Sequence, residues 1–153
     1  MQNTIQLMEK ELISINVKRL SDSAKIPTYA HIGDAVADLY ASENFVLPAK
    51  SNWAVATGIA MEIPEGYVGY INPRSGMAIK GITVMNAPGT IDSGYRGEIK
   101  VILANHTDRD YQINCNDKIA LMVFHKYHEV FFEPVDELSN SERGHGGFGS
   151  SGA

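Results

Sequence analysis

The chain has 153 residues, 44% of them hydrophobic and 20% charged, which is typical of one compact globular domain rather than of a disordered or fibrous protein. Its formal net charge of -5 at pH 7 excludes a general attraction to nucleic acid or to an anionic membrane surface. The single cysteine excludes an internal disulfide and a CxxC metal site, and it indicates a reducing compartment.

The first 14 residues precede the first predicted strand and are read as an N-terminal extension. Ile5, Met8, Leu12 and Ile15 have helical spacing, but the stretch is short, and a frayed or strand-like end is an equal alternative. Charged residues at positions 9–11 exclude a signal peptide. No apolar run approaches the roughly 20 residues of a membrane span. We therefore expect a soluble, cytoplasmic protein without a membrane or nucleic-acid partner.

Short segments rich in β-branched and aromatic residues follow, separated by turn-forming sequences. Because the chain has no long helical pattern, this spacing indicates an antiparallel sandwich, barrel or jelly roll. The predicted strands are Ile15–Leu20, Trp53–Ile63, Tyr67–Ile71, Ile82–Met85, Glu98–Asn105, Tyr111–Ile113, Lys118–Phe124 and Val130–Val135.

A candidate phosphate-binding loop, Pro73–Ala78, comes directly after one predicted strand. Arg74 supplies a forked and permanently charged donor, Ser75 a hydroxyl, and Gly76 a backbone N–H that a ligand can approach closely. On these residues alone, an ordinary loop with a solvated arginine is the alternative.

A candidate catalytic hairpin spans Asn86–Glu98, where Pro and Gly bend the chain. Asp92 in this hairpin is a candidate general base towards water, with Tyr95 three residues further on. The alternative for Asp92 is a turn cap made by its side chain, the commonest use of aspartate in such sequences.

The glycine-rich segment Arg143–Gly152 contains a formal GxGxxG, but it is not followed by a helix, which excludes a dinucleotide-binding βαβ unit. Such tails are usually flexible linkers. This one carries Arg143 and Phe148, and it could fold over a ligand, pairing the arginine with phosphate and laying the phenylalanine on a flat base.

The order and spacing of these segments resemble the trimeric dUTPase family from about Ile15 to Gly152. All five ordered motifs of that family can be placed, and the second, third and fifth are highly specific. In this chain they are Ala35–Ala41, Pro73–Ala78, Gly89–Glu98, Asp117–Val123 and Arg143–Gly152.

The resemblance implies an all-β jelly-roll, or β-clip, domain over residues 1–142 and a flexible arm over residues 143–153 that closes the active site. It also implies a homotrimer with active sites shared between subunits. The expected reaction is Mg²⁺-dependent hydrolysis of dUTP to dUMP and pyrophosphate. Mg²⁺ is expected to be held by the triphosphate without a direct protein ligand. Asp38 either supports its outer shell or braces Arg74.

The resemblance also assigns site residues. The catalytic base is Asp92, which orients the attacking water. The expected phosphate-binding residues are Arg74, Ser75, Gly76, Arg143, Gly149 and Ser150. The expected uracil- and deoxyribose-binding residues are Asn86, Gly89, Thr90, Ile91, Tyr95 and Phe148.

Four positions depart from the family pattern. Val36 and Asn116 stand where glycine is usual, Lys118 where arginine is usual, and Leu121 where glutamine is usual. Because a β-branched residue tolerates a positive φ badly, we expect a different local backbone at Val36. Leu121 cannot make an amide hydrogen bond, so a phosphate-supporting contact is expected to be lost there.

Two other functions remain open on the sequence. One is a dCTP deaminase of the same fold, against which the complete C-terminal arm argues. The other is a binding protein whose nucleotide occupancy regulates a protein partner, against which an intact Asp92 argues.

Overall fold

The computed structural model describes residues 12–152, and within this range the chain is almost entirely β. The predicted all-β class is therefore confirmed. The strands are β1 (Asn16–Arg19), β2 (Ala37–Tyr40), β3 (Phe45–Leu47), β4 (Asn52–Ala56), β5 (Ile59–Glu62), β6 (Tyr67–Asn72), β7 (Ile82–Val84), β8 (Gly89–Ile91), β9 (Lys100–Asn105), β10 (Tyr111–Ile113) and β11 (Lys118–Lys126). One short helix, α1 (Ser75–Ala78), follows β6.

The strands form an antiparallel jelly roll, as predicted. The largest sheet has the order β2-β11-β6-β8, and a second has the order β4-β9-β7. Two further two-stranded antiparallel sheets pair β1 with β5 and β3 with β10. Strands that are distant in sequence are thus neighbours, and this brings the first, second and fourth motifs together around β11.

The core lies between these sheets and is filled by the inward-facing side chains of each strand. Burying one such large apolar side chain contributes roughly 1.5–3 kcal/mol. Fully buried examples are Leu39, Leu47, Val55, Ile59, Ile82, Leu103, Ile119 and Met122. This packing fixes the strand ends on which the candidate site residues sit.

Two strand predictions were wrong. The predicted strand Trp53–Ile63 is divided into β4 and β5 at Gly58, whose φ of +68° breaks the strand. The predicted strand Val130–Val135 is absent, because this exposed segment has no neighbouring strand within its own chain to pair with.

Three strands and the helix were not predicted. All four residues of β2 are buried, including the charged Asp38, so β2 shows no alternation of buried and exposed positions. The three-residue strands β3 and β8 lie among turn-forming residues.

At the N-terminus, Ile5 and Met8 of the helical alternative lie outside the described residues, whereas Asn16–Arg19 forms a strand. No helix within residues 12–152 is both long enough and apolar enough to cross a membrane.

Candidate active site

A first cavity, of about 480 Å³, opens beside α1. Arg74 precedes this helix with an extended backbone, and its carbonyl accepts the N–H groups of Met77 and Ala78. The cavity is lined by Arg74, Gly76, Met77, Lys80, Tyr111, Ile113, Asn116, Asp117, Lys118 and Ile119. Its lining includes three cationic side chains and one carboxylate, a charge balance that favours anions. Ser75 is exposed at the start of the helix but does not line it.

A buried carboxylate organises the cations of this cavity. The Asp38 side chain is only 6% exposed, and its oxygens lie 2.6 Å from Lys118 Nζ and 3.5 Å from Arg74 Nε. Arg74 Nη1 also donates to the Lys118 carbonyl at 3.1 Å. These contacts arise because β2 and β11 are paired, with Asp38 opposite Leu121. Asp38 thus braces Arg74, one of the two roles expected from the sequence.

The departures from the family pattern have local explanations. Asn116 has a φ of 69°, a left-handed conformation that asparagine tolerates better than most residues, so it can replace glycine here. Val36 does not have a left-handed φ, so its β-branched side chain is not strained there, and the expected difference from the family backbone stays a prediction. Leu121 lies between Asp38 and Asn72 in the sheet and provides no polar group to the cavity.

A second cavity, of about 620 Å³, lies at the catalytic hairpin. It brings together most of the predicted nucleoside-binding residues. Its lining is Ala54, Asn86, Thr90, Ile91, Asp92, Tyr95, Glu98, Lys100 and Ile102. Gly89 is buried beneath it, and a Cβ there would lie 3.4 Å from both the Asn86 side chain and Ile71. The backbone of β8 therefore comes close to Asn86 without an intervening side chain.

The carboxylate of Asp92 is exposed at this cavity. Within residues 12–152 it makes no hydrogen bond or ion pair, although the Asp92 backbone carbonyl accepts the Tyr95 N–H at 3.1 Å. A side-chain cap of the turn, the alternative considered for Asp92, is therefore not formed. The carboxylate is free to accept a hydrogen bond from water.

The two cavities lie apart within one chain. In the β6–β8 pairing, Ile71 is opposite Gly89 and Gly69 is opposite Ile91, so Asp92 is near Val68. Arg74 lies six residues further along the chain than Val68, and at ~3.3 Å per residue this corresponds to roughly 20 Å. The cavities share no lining residue. One chain therefore presents two half-sites at separate places, one with residues predicted to bind phosphate and the other with residues predicted to bind the nucleoside.

The C-terminal arm contributes to neither cavity in this structure. Arg143 Nε donates to the Gly146 carbonyl at 2.7 Å, and the Ser150 N–H donates to the Gly147 carbonyl. Phe148 is fully exposed, and Gly149 has a φ of +95°. The residues predicted for the arm thus form consecutive turns, and their hydrogen bonds are mainly to other residues of the arm.

Comparisons with known proteins bear on the identity of this site. A family model described as dUTPase matches residues 22–152. The deoxyuridine 5'-triphosphate nucleotidohydrolase of Clostridioides difficile is 47% identical over 142 residues, which are 92% of this chain and 99% of that protein. The enzyme of the same name from Thermobifida fusca is 48% identical, and the match covers 92% of this chain and 79% of that protein.

The chain belongs to the dUTPase family. The predicted family and the predicted dUTP diphosphatase activity are both confirmed. Among solved structures, the Staphylococcus bacteriophage 80alpha dUTPase with dUPNHPP is 31% identical, with a TM-score of 0.86, over 92% of this chain and 99% of that one. A mutant dUTPase from phage phi11 of S. aureus, whose structure reveals the coordination of a structural Mg(II) ion, is 28% identical, with a TM-score of 0.76, over 82% of this chain and 98% of that one.

Several residues that line the cavities of this dUTPase were not predicted as site residues. Lys80 lies six residues after Arg74, and the short helix that turns it back towards Arg74 was not predicted. Tyr111 reaches the same cavity from β10, far away in sequence, so only the fold reveals it. Asn116 was noted from the sequence only as a departure from the family pattern, and the structure places it in this cavity. Glu98 ends the catalytic hairpin and Lys100 begins β9 two residues later, so their closeness to Asp92 in the sequence was the available signal.

The Asp38→Asn variant tests the buried carboxylate. We expect it to lower the free energy of unfolding by about 1–3 kcal/mol, because charge-assisted hydrogen bonds are lost while both cations keep partial access to water. Urea denaturation at a fixed protein concentration measures this, and dUTP affinity should fall in parallel. The control is Asp34→Asn, whose partner His31 is 83% exposed. Equal stability changes in the two variants would contradict the bracing role.

Proposed function

We propose that this dUTPase hydrolyses dUTP to dUMP and pyrophosphate by attack of water on the α-phosphorus, with Asp92 as the general base. The observation that carries the proposal is the unpaired Asp92 carboxylate in the cavity of Asn86, Thr90 and Tyr95. As the water oxygen bonds to the α-phosphorus, its proton passes to Asp92 and the bond from the α-phosphorus to the bridging oxygen breaks. Pyrophosphate leaves with that oxygen.

The hairpin supports recognition of the nucleoside by shape and by backbone groups. Because Gly89 has no side chain, the backbone of β8 can approach the edge of a uracil ring and offer it donors and acceptors. Tyr95 lines the same cavity with its side chain partly exposed. We assign to its ring the packing against deoxyribose, where a ribose 2′-hydroxyl would collide.

The first cavity supports binding of the triphosphate. Arg74 and Lys118 are held by Asp38 so that their charges face phosphate oxygens, and Lys80 adds a third cation. Such electrostatic stabilisation accounts for most of the catalysis of phosphoryl transfer. We assign the same role to Ser75 and Gly76 at the start of α1.

The donor set fits a magnesium ion that is held by the substrate. Among the described residues, no group of three or more His, Cys, Asp or Glu could hold a metal ion. Asp38 is paired with two cations, but its oxygens retain lone pairs that could accept a hydrogen bond from a metal-bound water. When bound to the triphosphate, Mg²⁺ would neutralise part of the negative charge of the phosphates.

The separation of the half-sites supports a shared active site. One chain cannot bring Asp92 and Arg74 to the same phosphate, whereas neighbouring subunits can supply one half-site each. We propose a homotrimer in which the arm with Arg143, Phe148, Gly149 and Ser150 comes from a further subunit. In that arrangement Arg143 meets the terminal phosphate and Phe148 covers the uracil.

The segment before the arm supports contact with another subunit. Five of its large apolar side chains are at least 60% exposed, which is unusual for residues of this type when they remain in solvent. They are Val130, Phe131, Phe132, Val135 and Leu138. A neighbouring subunit would cover them and would supply the strand partner that this segment lacks.

The Asp92→Asn variant tests the catalytic base. We expect kcat to fall by ~10²–10⁴-fold while dUTP binding changes only a few-fold, because the amide keeps the shape but cannot take the proton. Pyrophosphate release measures turnover, and calorimetry with a non-hydrolysable dUTP analogue measures binding. Parallel assays with UTP and dCTP separate a dUTPase from a deaminase, which would release ammonia from dCTP. Near-normal turnover of Asp92→Asn would show that another group activates the water.

Mixed oligomers test the shared site. Asp92→Asn and Arg74→Ala are each expected to be nearly inactive alone. After co-refolding in equal amounts, some sites combine an intact Asp92 from one subunit with an intact Arg74 from another, and random mixing restores about a quarter of the wild-type activity. Mixing the folded proteins without refolding is the control. No recovery in isolated mixed oligomers would place both residues of each site in one chain.

Removal of residues 143–153 tests the arm. Because its hydrogen bonds are mainly internal, the midpoint of thermal unfolding should hardly change. Loss of one charge-assisted hydrogen bond and one stacked aromatic ring is expected to lower kcat/KM by roughly two to four powers of ten. The Arg143→Ala/Phe148→Ala variant keeps the length of the arm and should lose nearly as much. Wild-type kcat/KM in the truncated protein would show that the arm has no catalytic role.

A further inference from the structure

We propose that Gly97 is a positioning residue for Tyr95, and that the absence of a side chain at Gly97 sets the preference of the enzyme for deoxyribose over ribose substrates. This inference rests on the proposed role of Tyr95 in packing against the sugar. Gly97 itself does not line the nucleoside cavity and is not assigned a contact with substrate.

The ring of Tyr95 lies directly on Gly97. A Cβ atom at position 97 would be 2.5 Å from the Tyr95 hydroxyl oxygen, 2.7 Å from Cζ and 3.0 Å from Cε2. Ordinary van der Waals contact with a Cβ begins at 3.4 Å, so a methyl group and the ring cannot occupy these positions together. The phenol end of the ring therefore rests in the space that only glycine leaves free.

The backbone of Gly97 gives no other reason for glycine. Its φ is not in the left-handed region, in contrast to Gly58 and Gly66, so an L-residue could adopt the conformation without strain. The three atoms that a Cβ at position 97 would approach most closely all belong to Tyr95. The requirement for glycine at this position thus comes from the tyrosine ring.

The same ring is fixed at its polar end. The Tyr95 hydroxyl donates to the Glu98 carbonyl at 2.9 Å. The Glu98 carboxylate accepts the Gly58 N–H at 3.0 Å and lies 3.6 Å from Lys100 Nζ, which anchors the residue that supplies the carbonyl. Gly97 and Glu98 together hold the ring against one wall of the cavity.

Displacement of the ring has a defined consequence for selectivity. A methyl group at position 97 forces the ring away from the Glu98 carbonyl, either into the cavity or out towards solvent. A shift of about 1 Å in a positioning group can change a rate by ~10²-fold. A displaced ring no longer meets C2′ of the sugar at contact distance, so the penalty against a 2′-hydroxyl is reduced.

The experiment compares kcat/KM for dUTP and for UTP in five proteins. These are the wild type, Gly97→Ala, Gly94→Ala, Tyr95→Ala, and the Tyr95→Ala/Gly97→Ala double variant. Gly94 is the matched control because it lies in the same turn, its φ is not left-handed, and a Cβ there meets nothing within 4 Å. Thermal unfolding of all five proteins and a crystal structure of Gly97→Ala provide readouts that do not depend on activity.

We expect Gly97→Ala to reduce the ratio of kcat/KM for dUTP to that for UTP at least tenfold, and Gly94→Ala to leave it within twofold. In the Tyr95→Ala background, Gly97→Ala should change neither this ratio nor the unfolding midpoint appreciably, since the ring it would displace is gone. An unchanged ratio in Gly97→Ala, or an equal loss in both backgrounds, would overturn the proposal.

The same data separate this inference from the proposed function. If the wild type does not hydrolyse dUTP, or does not prefer it to UTP, the proposed function fails whatever Gly97 does. If the wild type is selective and Tyr95→Ala is not, the role of Tyr95 stands, and Gly97→Ala alone decides the inference. Should Gly97→Ala unfold, recovery of folding in the double variant supports the clash with Tyr95, and failure to recover contradicts it.

Discussion

The pairing of β6 with β8 and β11 is the constraint on which the site depends. β6 runs from Tyr67 to Asn72, and its hydrogen bonds to both neighbours fix Arg74 beyond one end and Asp92 near the other. A strand is stiff and extended, so this separation cannot be closed by small movements of loops. If both residues act on one phosphate group, catalysis requires association of subunits. Oligomerisation is then part of the chemistry.

The acidic chain nevertheless builds a cationic half-site, and the buried Asp38 explains how. Three cations clustered without a counter-charge would repel one another and would lose order in the absence of substrate. The Asp38 carboxylate reduces this repulsion by pairing with Arg74 and Lys118. It belongs to the buried strand β2, and its side chain is only 6% exposed. The cost of burying the carboxylate is offset by two ion pairs, of which the pair with Lys118 is the shorter at 2.6 Å. The Arg74 and Lys118 side chains are therefore held in place by contacts within the protein itself.

The sequence predicted those parts of the structure that depend on local patterns. Alternating strands and turn residues were found, as were the hairpin around Asp92 and the loop at Arg74. Features decided by distant contacts were missed. β2 is buried on both faces although it contains the charged Asp38, and Tyr111 lines the same cavity as Arg74 only because β10 pairs with β3 and the sheets pack together. Val130–Val135 has the composition of a strand, but a strand also requires a partner, which a single chain does not supply. The assigned functions of the site residues, the domain boundary at residue 142 and the trimer stay predictions.

In the proposed function the two half-sites use different physical means of recognition, and this difference predicts where the structure tolerates change. Charge acts over several ångströms, so Lys118 can stand where arginine is usual, and the absence of a polar group at Leu121 still leaves three cations around the first cavity. Selection of deoxyribose over ribose does not act over such distances. It depends on a steric contact between the protein and the 2′ position of the sugar, and this contact is lost when the protein surface moves by about 1 Å. Such a surface must be rigid. In this hairpin the rigidity comes from a tyrosine ring supported below by Gly97 and held at its end by the Glu98 carbonyl. Substitutions are therefore more easily accommodated around the phosphates than beneath the ring, even at a glycine that does not line the cavity.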